Sequence, residues 1–143
     1  MNERISHYKS LSLQTRIDMS LSENIGPPDR LLLAQDQWNV IRCYFSRRAD
    51  LTAEEIAILI KDDDYVIRLS IAKRDDLTPE QVEACVNDAD PNVRHAIARS
   101  TLLSKFQRDT LKSDEDDLVR RSADKGPRPV QFRQREGQTK LIK

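Results

Sequence analysis

The chain is 143 residues long, carries 24 Lys and Arg against 24 Asp and Glu, and is 38% hydrophobic and only 5% aromatic. That length suits one compact domain, the apolar runs fall far short of the roughly 20 residues that cross a bilayer, and the charged N-terminus lacks the apolar stretch of a secretory signal. Two cysteines, Cys43 and Cys85, and three glycines are too few for a disulfide framework, a four-ligand zinc site or a glycine-rich phosphate loop, so a cytoplasmic protein is expected.

In chain order, residues 1–11 read as an N-terminal cap. Units follow at about 12–37, 38–63, 64–89 and 90–115, then a partial unit at 116–124 and a tail at 125–143. The units rest on a period of 26 residues, marked by Arg16, Arg42, Arg68, Arg94 and Arg120. Neighbouring columns share the spacing: Ile41, Ile67, Val93, Val119; Phe45, Ile71, Ile97, Ala123; Leu51, Leu77, Leu103; Leu33, Leu59, Cys85, Leu111; and Asp36, Asp62, Asp88, Asp114. Within a unit, Val66 to Arg74 places Ile67 and Ile71 one helical turn apart. Asp75-Asp76-Leu77-Thr78-Pro79-Glu80 is a turn followed by a helix start, with Thr78 as cap and Pro79 at the first helical position. A second helix over about 79–87 presents Val82, Cys85 and Val86, and Pro91 opens the next unit. Period-2 alternation is absent, so strands are not expected.

Two short helices cannot bury enough apolar surface alone, whereas stacked pairs share a core. The pattern therefore predicts an all-α fold, a short α-solenoid of about four helix-pair repeats with an irregular basic tail.

Val93-Arg94-His95-Ala96-Ile97-Ala98-Arg99, with Leu77-Thr78-Pro79-Glu80-Gln81-Val82 before it, resembles the leucine-rich repeat variant family, within the broader HEAT/armadillo-like class. The resemblance spans about residues 13–124. It implies a right-handed superhelix of paired short helices, one of each pair a candidate for 3₁₀ geometry, and the non-enzymatic binding role that such scaffolds mostly serve. Some members carry an iron–sulfur segment rich in cysteine ahead of the repeats. No cysteine precedes Cys43 here, so no cofactor is carried over.

The arginine column reads as a structural ladder between repeats. Asp64–Arg68, Asp90–Arg94 and Asp116–Arg120 have the favourable i, i+4 order, and the guanidinium fork can also reach the preceding unit's Asp or its helix-end carbonyls. Trp38 stands where later units have aspartate, so Arg42 needs a different partner. A second basic column, Arg47, Lys73, Arg99 and Lys125, flanked by Arg48 and Arg74, falls at first-helix C-termini, where cations complement the dipole. It reads as a solvated edge or as a stripe for phosphates or an acidic partner, weakened by Asp50, Asp75 and Asp76. Neither His7 nor His95 has the partners that catalysis needs, so no catalytic residue is expected. The carboxylate runs at 62–64 and 114–117 lack a calcium-loop pattern, and no metal site is expected.

Residues 1–124 hold 18 basic and 23 acidic side chains, while residues 125–143 hold six basic ones against Glu136. The tail, with Arg128, Phe132, Arg133 and Arg135, breaks the repeat and reads as extended or disordered. It is either a solubilising terminus or a basic arm.

The expected function is a non-enzymatic scaffold binding another protein through the curved surface of the solenoid. Trp38, Tyr44, Arg47, Arg48, Lys73, Arg74 and Arg99 are the candidate partner-binding positions. Nucleic-acid binding through the same edge and the tail is the alternative, opposed by few aromatics and an acidic body. A regulatory or self-assembling subunit, stacking through the solenoid ends, is the third reading. No membrane association is expected.

Overall fold

The computed structural model describes residues 2–143, with side chains from residue 3 onward. Its described residues fold into ten short helices: α1 (Asn2–Ser10), α2 (Leu13–Leu21), α3 (Pro27–Ala34), α4 (Asn39–Ser46), α5 (Ala53–Leu59), α6 (Tyr65–Ala72), α7 (Pro79–Val86), α8 (Pro91–Ile97), α9 (Lys105–Lys112) and α10 (Asp117–Lys125). The even-numbered helices start 26 residues apart, and so do α3, α5, α7 and α9. Each even-numbered helix packs against the next, α2 on α4, α4 on α6, α6 on α8 and α8 on α10, while the odd-numbered helices lie against their even-numbered neighbours. None of the described helices is long and apolar enough to cross a membrane.

The local signals act as read. Thr52, Thr78 and Ser104 cap α5, α7 and α9 in reciprocal boxes with Glu55, Gln81 and Gln107, and Pro79 and Pro91 sit in the first turns of α7 and α8. Each box satisfies two backbone donors at a helix start, and losing the capping oxygen costs about 1 kcal/mol. The apolar columns supply the interior. Ile41, Ile67, Val93 and Val119 are fully buried, as are Phe45, Ile71, Ile97 and Ala123, in one continuous cluster that takes in Leu33, Leu59, Cys85 and Leu111. Each large member contributes about 2 kcal/mol relative to exposure. At the N-terminal end α1 packs on α3, and buried Tyr8 donates its hydroxyl to Asp36.

The arginine column forms a ladder, but not through the i, i+4 pairs expected from the sequence. Arg16, Arg42, Arg68 and Arg94 instead bind the carboxylate twenty residues ahead, at Asp36, Asp62, Asp88 and Asp114, with contacts of 2.8–3.1 Å. The same guanidiniums of Arg42, Arg68 and Arg94 donate to the carbonyls of Asp36, Asp62 and Asp88, six residues behind. Each aspartate also accepts a backbone N–H two residues on, from Trp38, Asp64, Asp90 or Asp116. The reason is geometric: Asp64, Asp90 and Asp116 turn their oxygens onto the N–H groups opening α6, α8 and α10, which leaves the arginine to span two units. Arg120 has no following unit and holds the Asp114 carbonyl and Asp117 instead.

The tail is extended, as expected, but it is an ordered strap rather than a flexible arm, and it contains two short strands where none was expected. Gly126 ends α10 with φ of 79°, a backbone shape that glycine adopts without strain. Strands β1 (Phe132–Arg133) and β2 (Leu141–Ile142) then pair antiparallel around a turn at Gly137, whose φ is 78°. The strap lies along the C-terminal ends of the even-numbered helices. The Arg128 N–H donates to the Arg99 carbonyl, Ile142 to Arg47, Thr139 to Leu21, and the Ala49 N–H donates to Lys140. Leu141 and Thr139 are buried in the process. These non-local backbone bonds, and Leu141 as an anchor, offset the ordering entropy that the polar composition alone could not.

Candidate functional site

Two neighbouring arginine columns at the helix C-termini have opposite fates. Arg48 and Arg74, read from the sequence as part of an exposed edge, are among the most deeply buried side chains, at 0% and 2% exposure. Each grips an aspartate two residues on, Arg48 with Asp50 and Arg74 with Asp76, at 2.8–2.9 Å. The remaining guanidinium donors hold carbonyls one unit back: Ser20 and Ser22 for Arg48, Arg48 and Ala49 for Arg74. They are struts between successive units, their guanidiniums spent on these partners. The Arg-x-Asp spacing, repeated 26 residues apart, is the signal that separates them from Arg47 and Lys73.

In the fourth unit Ser100 occupies the position of Arg48 and Arg74, and Leu102 that of Asp50 and Asp76. The strut is missing there, and the strap also steps over the third unit. Its N–H groups bond the carbonyls of Leu21, Arg47 and Arg99, but none bonds that of Lys73. A cavity of about 370 Å³ opens at this gap, walled by Lys73, Asp75, His95, Arg99 and Ser100 on the helical side and by Arg128 and Gln131 on the strap. A second cavity of about 270 Å³ adjoins it, lined by Arg47, Val66, Leu69, Lys73, Arg133 and Ile142. Leu69, Lys73 and Lys143 belong to both.

The lining is strongly cationic. Arg47, Lys73, Arg99, Arg128, Arg133 and Lys143 converge on the two cavities, with Asp75 as the acidic side chain in the wall. Arginines of the two ladders hold carboxylates, whereas none of these six cations forms a side-chain ion pair among the described residues. Arg47 stacks over the Tyr44 ring at 5.7 Å, and Arg99 donates through Nε to the Gly126 carbonyl at 2.9 Å. Burial by its surroundings, reinforced by the nearby positive charges of Arg47 and Arg128, pulls the Lys73 ammonium below its ordinary value. Gathering unpaired like charges is unfavourable unless an anion shares the space.

Of the other positions read as candidates, Trp38 is 52% exposed at the N-cap of α4, the opposite end of that helix from the groove. Tyr44 supports Arg47 without lining either cavity. Phe132 is half-exposed beneath the Lys140 ammonium, and Arg135 lies in the hairpin turn, outside both cavities. His95, not singled out as a binding position, lines the larger cavity because it occupies the column of Leu69, which lines both. Asp62, Asp64, Asp114 and Asp116 of the carboxylate runs spend their oxygens on capping and arginine pairing, and among the described residues no cluster of three or more His, Cys, Asp or Glu is placed to hold a metal ion. Compared with models of protein families, with curated proteins and with solved structures, the chain matches none.

Proposed function

We propose that this chain is a non-enzymatic binding module, a short α-solenoid of the leucine-rich repeat variant or HEAT-like kind, whose partner is an acidic segment of another protein. The observation that carries this reading is the convergence of six unpaired cations on one groove between the even-numbered helices and the strap. A linear acidic segment lying in that groove supplies the missing counter-charge, and Leu69, Val66 and Ile142 give it apolar floor. Complementary charge of this kind speeds encounter and selects the partner more than it adds raw affinity.

The test is fluorescence anisotropy with a labelled Asp/Glu-rich peptide and a neutral control peptide of equal length. Binding of the acidic peptide alone is expected, with the Arg47→Glu/Lys73→Glu double variant at least tenfold weaker and its far-UV circular dichroism unchanged. Equal binding by the folded double variant, or no binding by the wild type at moderate salt, refutes the reading.

Nucleic-acid binding is the second reading, favoured by Arg128 and Arg133 reaching the groove from a strap that also carries Phe132. It requires steeply salt-dependent affinity for DNA or RNA. A mobility shift with the full chain, lost on removal of residues 126–143, would replace the protein-partner reading with it.

A further inference from the structure

Among the described residues, the larger cavity is the place where two regular devices of the fold lapse together. The buried arginine strut gives way to Ser100, and the strap leaves the Lys73 carbonyl without a hydrogen bond. What surrounds that space is four unpaired cations: Lys73 at the end of α6, Arg99 after α8, and Arg128 and Lys143 on the strap. His95, Ser100 and Asn92 add polar side chains, and Asp75 subtracts one charge. Arg99 is anchored through Nε to the Gly126 carbonyl, which leaves its terminal nitrogens to a ligand. Neither Arg128 nor Lys73 makes a side-chain hydrogen bond or ion pair among the described residues.

These four cations offset by the Asp75 carboxylate leave about three positive charges, of which a carboxylate ligand would neutralise only one. A phosphoryl monoester carries about −1.5 to −2 charge near neutral pH and presents three acceptor oxygens. It offsets more of that charge than a carboxylate and meets more of the donors, and guanidinium forks suit it geometrically. The charge is also local. Asp64, Asp90 and Asp116 cap the opposite ends of the same helices, and the strap lies along the row of Arg47, Lys73 and Arg99, so a long polyanion has no uninterrupted basic track. The adjoining cavity, with its Val66, Leu69 and Ile142, offers room for residues flanking a single phosphoryl group.

We infer that the cavity between the strap and helices α6 and α8 is a phosphoryl-binding site, formed by Lys73, Arg99 and Arg128, that takes a phosphorylated side chain of a peptide. The inference rests on the groove being a receptor for an acidic segment and names the group that segment carries.

Isothermal titration compares three versions of one peptide, with serine, glutamate or phosphoserine at the central position in a mildly acidic sequence. The phosphoserine peptide is expected to bind at least tenfold more tightly than the glutamate peptide. Lys73→Met and Arg128→Met, both at exposed side chains, should each erase most of that advantage, while Arg135→Met, an equal loss of charge outside the cavity, should leave it intact. Equal affinity for the phosphoserine and glutamate peptides overturns the phosphoryl site while leaving the acidic-segment reading standing; no binding of any version removes both. Inorganic phosphate competing as well as the phosphopeptide would show a site for the free anion, and preferential binding of a single-stranded oligonucleotide would show a nucleic-acid phosphate site. Either result overturns the peptide assignment.

Discussion

Removing the Asp88 carboxylate tests the energetic logic of the ladder. In Asp88→Ala, Arg68 loses both oxygens it holds at 3.0 and 3.1 Å, and the Asp90 N–H loses its acceptor at 2.9 Å. The side chains of Asp88 and Arg68 are 13% and 20% exposed. Breaking a buried ion pair from one side costs about 3–5 kcal/mol and an exposed one about 0–1 kcal/mol. Arg68 retains the carbonyls of Asp62 and Asp63, so a loss of about 3 kcal/mol is expected. With a denaturant slope of about 2 kcal/mol per molar, that lowers the urea midpoint by about 1.5 M. The comparison is Asp64→Ala, which removes a cap on the Val66 N–H and a contact with Asn39 and should cost only about 1 kcal/mol. Urea unfolding followed by far-UV circular dichroism measures both, and a double-mutant cycle with Arg68→Met isolates the pair. An Asp64 variant as damaging as the Asp88 variant, or additive losses in the cycle, would show that the twenty-residue pairing does not carry the energy.

Stability should hold through neutral pH and fall in acid. In the folded chain, burial would raise the Asp50 and Glu55 carboxyls, but hydrogen bonds from Arg48 and Arg30 to Asp50, and from Arg30 to Glu55, outweigh it; Asp64 is lowered first by Asn39 and then by the Val66 N–H. A carboxyl held low when folded adds stability above its unfolded value, near 4, and that contribution is lost as pH falls through the lower folded value. Unfolding midpoints between pH 7 and 2 check this, and a midpoint that does not fall below pH 4 contradicts it. For the strap, Leu141→Ala should cost about 2 kcal/mol, the low end for a buried leucine because it lies outside the main core cluster. Hydrogen exchange at the Ala49 amide, which donates to Lys140 of the strap, should accelerate while the Ile67 amide stays protected. An unchanged Ala49 rate would mean that the strap is held by something other than Leu141.

Much of the helical order was legible because its causes are local and repeated. Thr78 and Pro79 announce a helix start by their own chemistry, and Ile67 with Ile71 announces a buried face by spacing alone. The i, i+4 partner for Arg68 was misread because spacing along one helix says nothing about a carboxylate twenty residues ahead, brought near only by folding of the next turn. It was also misread because Asp64 is claimed by the N–H groups of its own helix start.

Arg47 and Arg48 are chemically identical neighbours with different fates, and no scale of residue hydrophobicity separates them. What does is the partner set: Arg48 has Asp50 two residues on and two carbonyls one unit back, enough to satisfy a guanidinium without water, and Arg47 has none of these. The same accounting explains the groove. Where the chain keeps the Arg-x-Asp pair, a buried guanidinium bridges successive units. Where it substitutes Ser100 and Leu102, the space between units lies open beside cations that nothing in the fold neutralises. The strap was misread for the complementary reason. Its composition is that of a disordered tail, and its order comes from backbone donors and acceptors left unpaired at the helix ends, which lie up to 118 residues away in the chain and which no local pattern reveals. A polar terminus beside a repeat array therefore has to be judged by the unsatisfied carbonyls within its reach as well as by its own side chains.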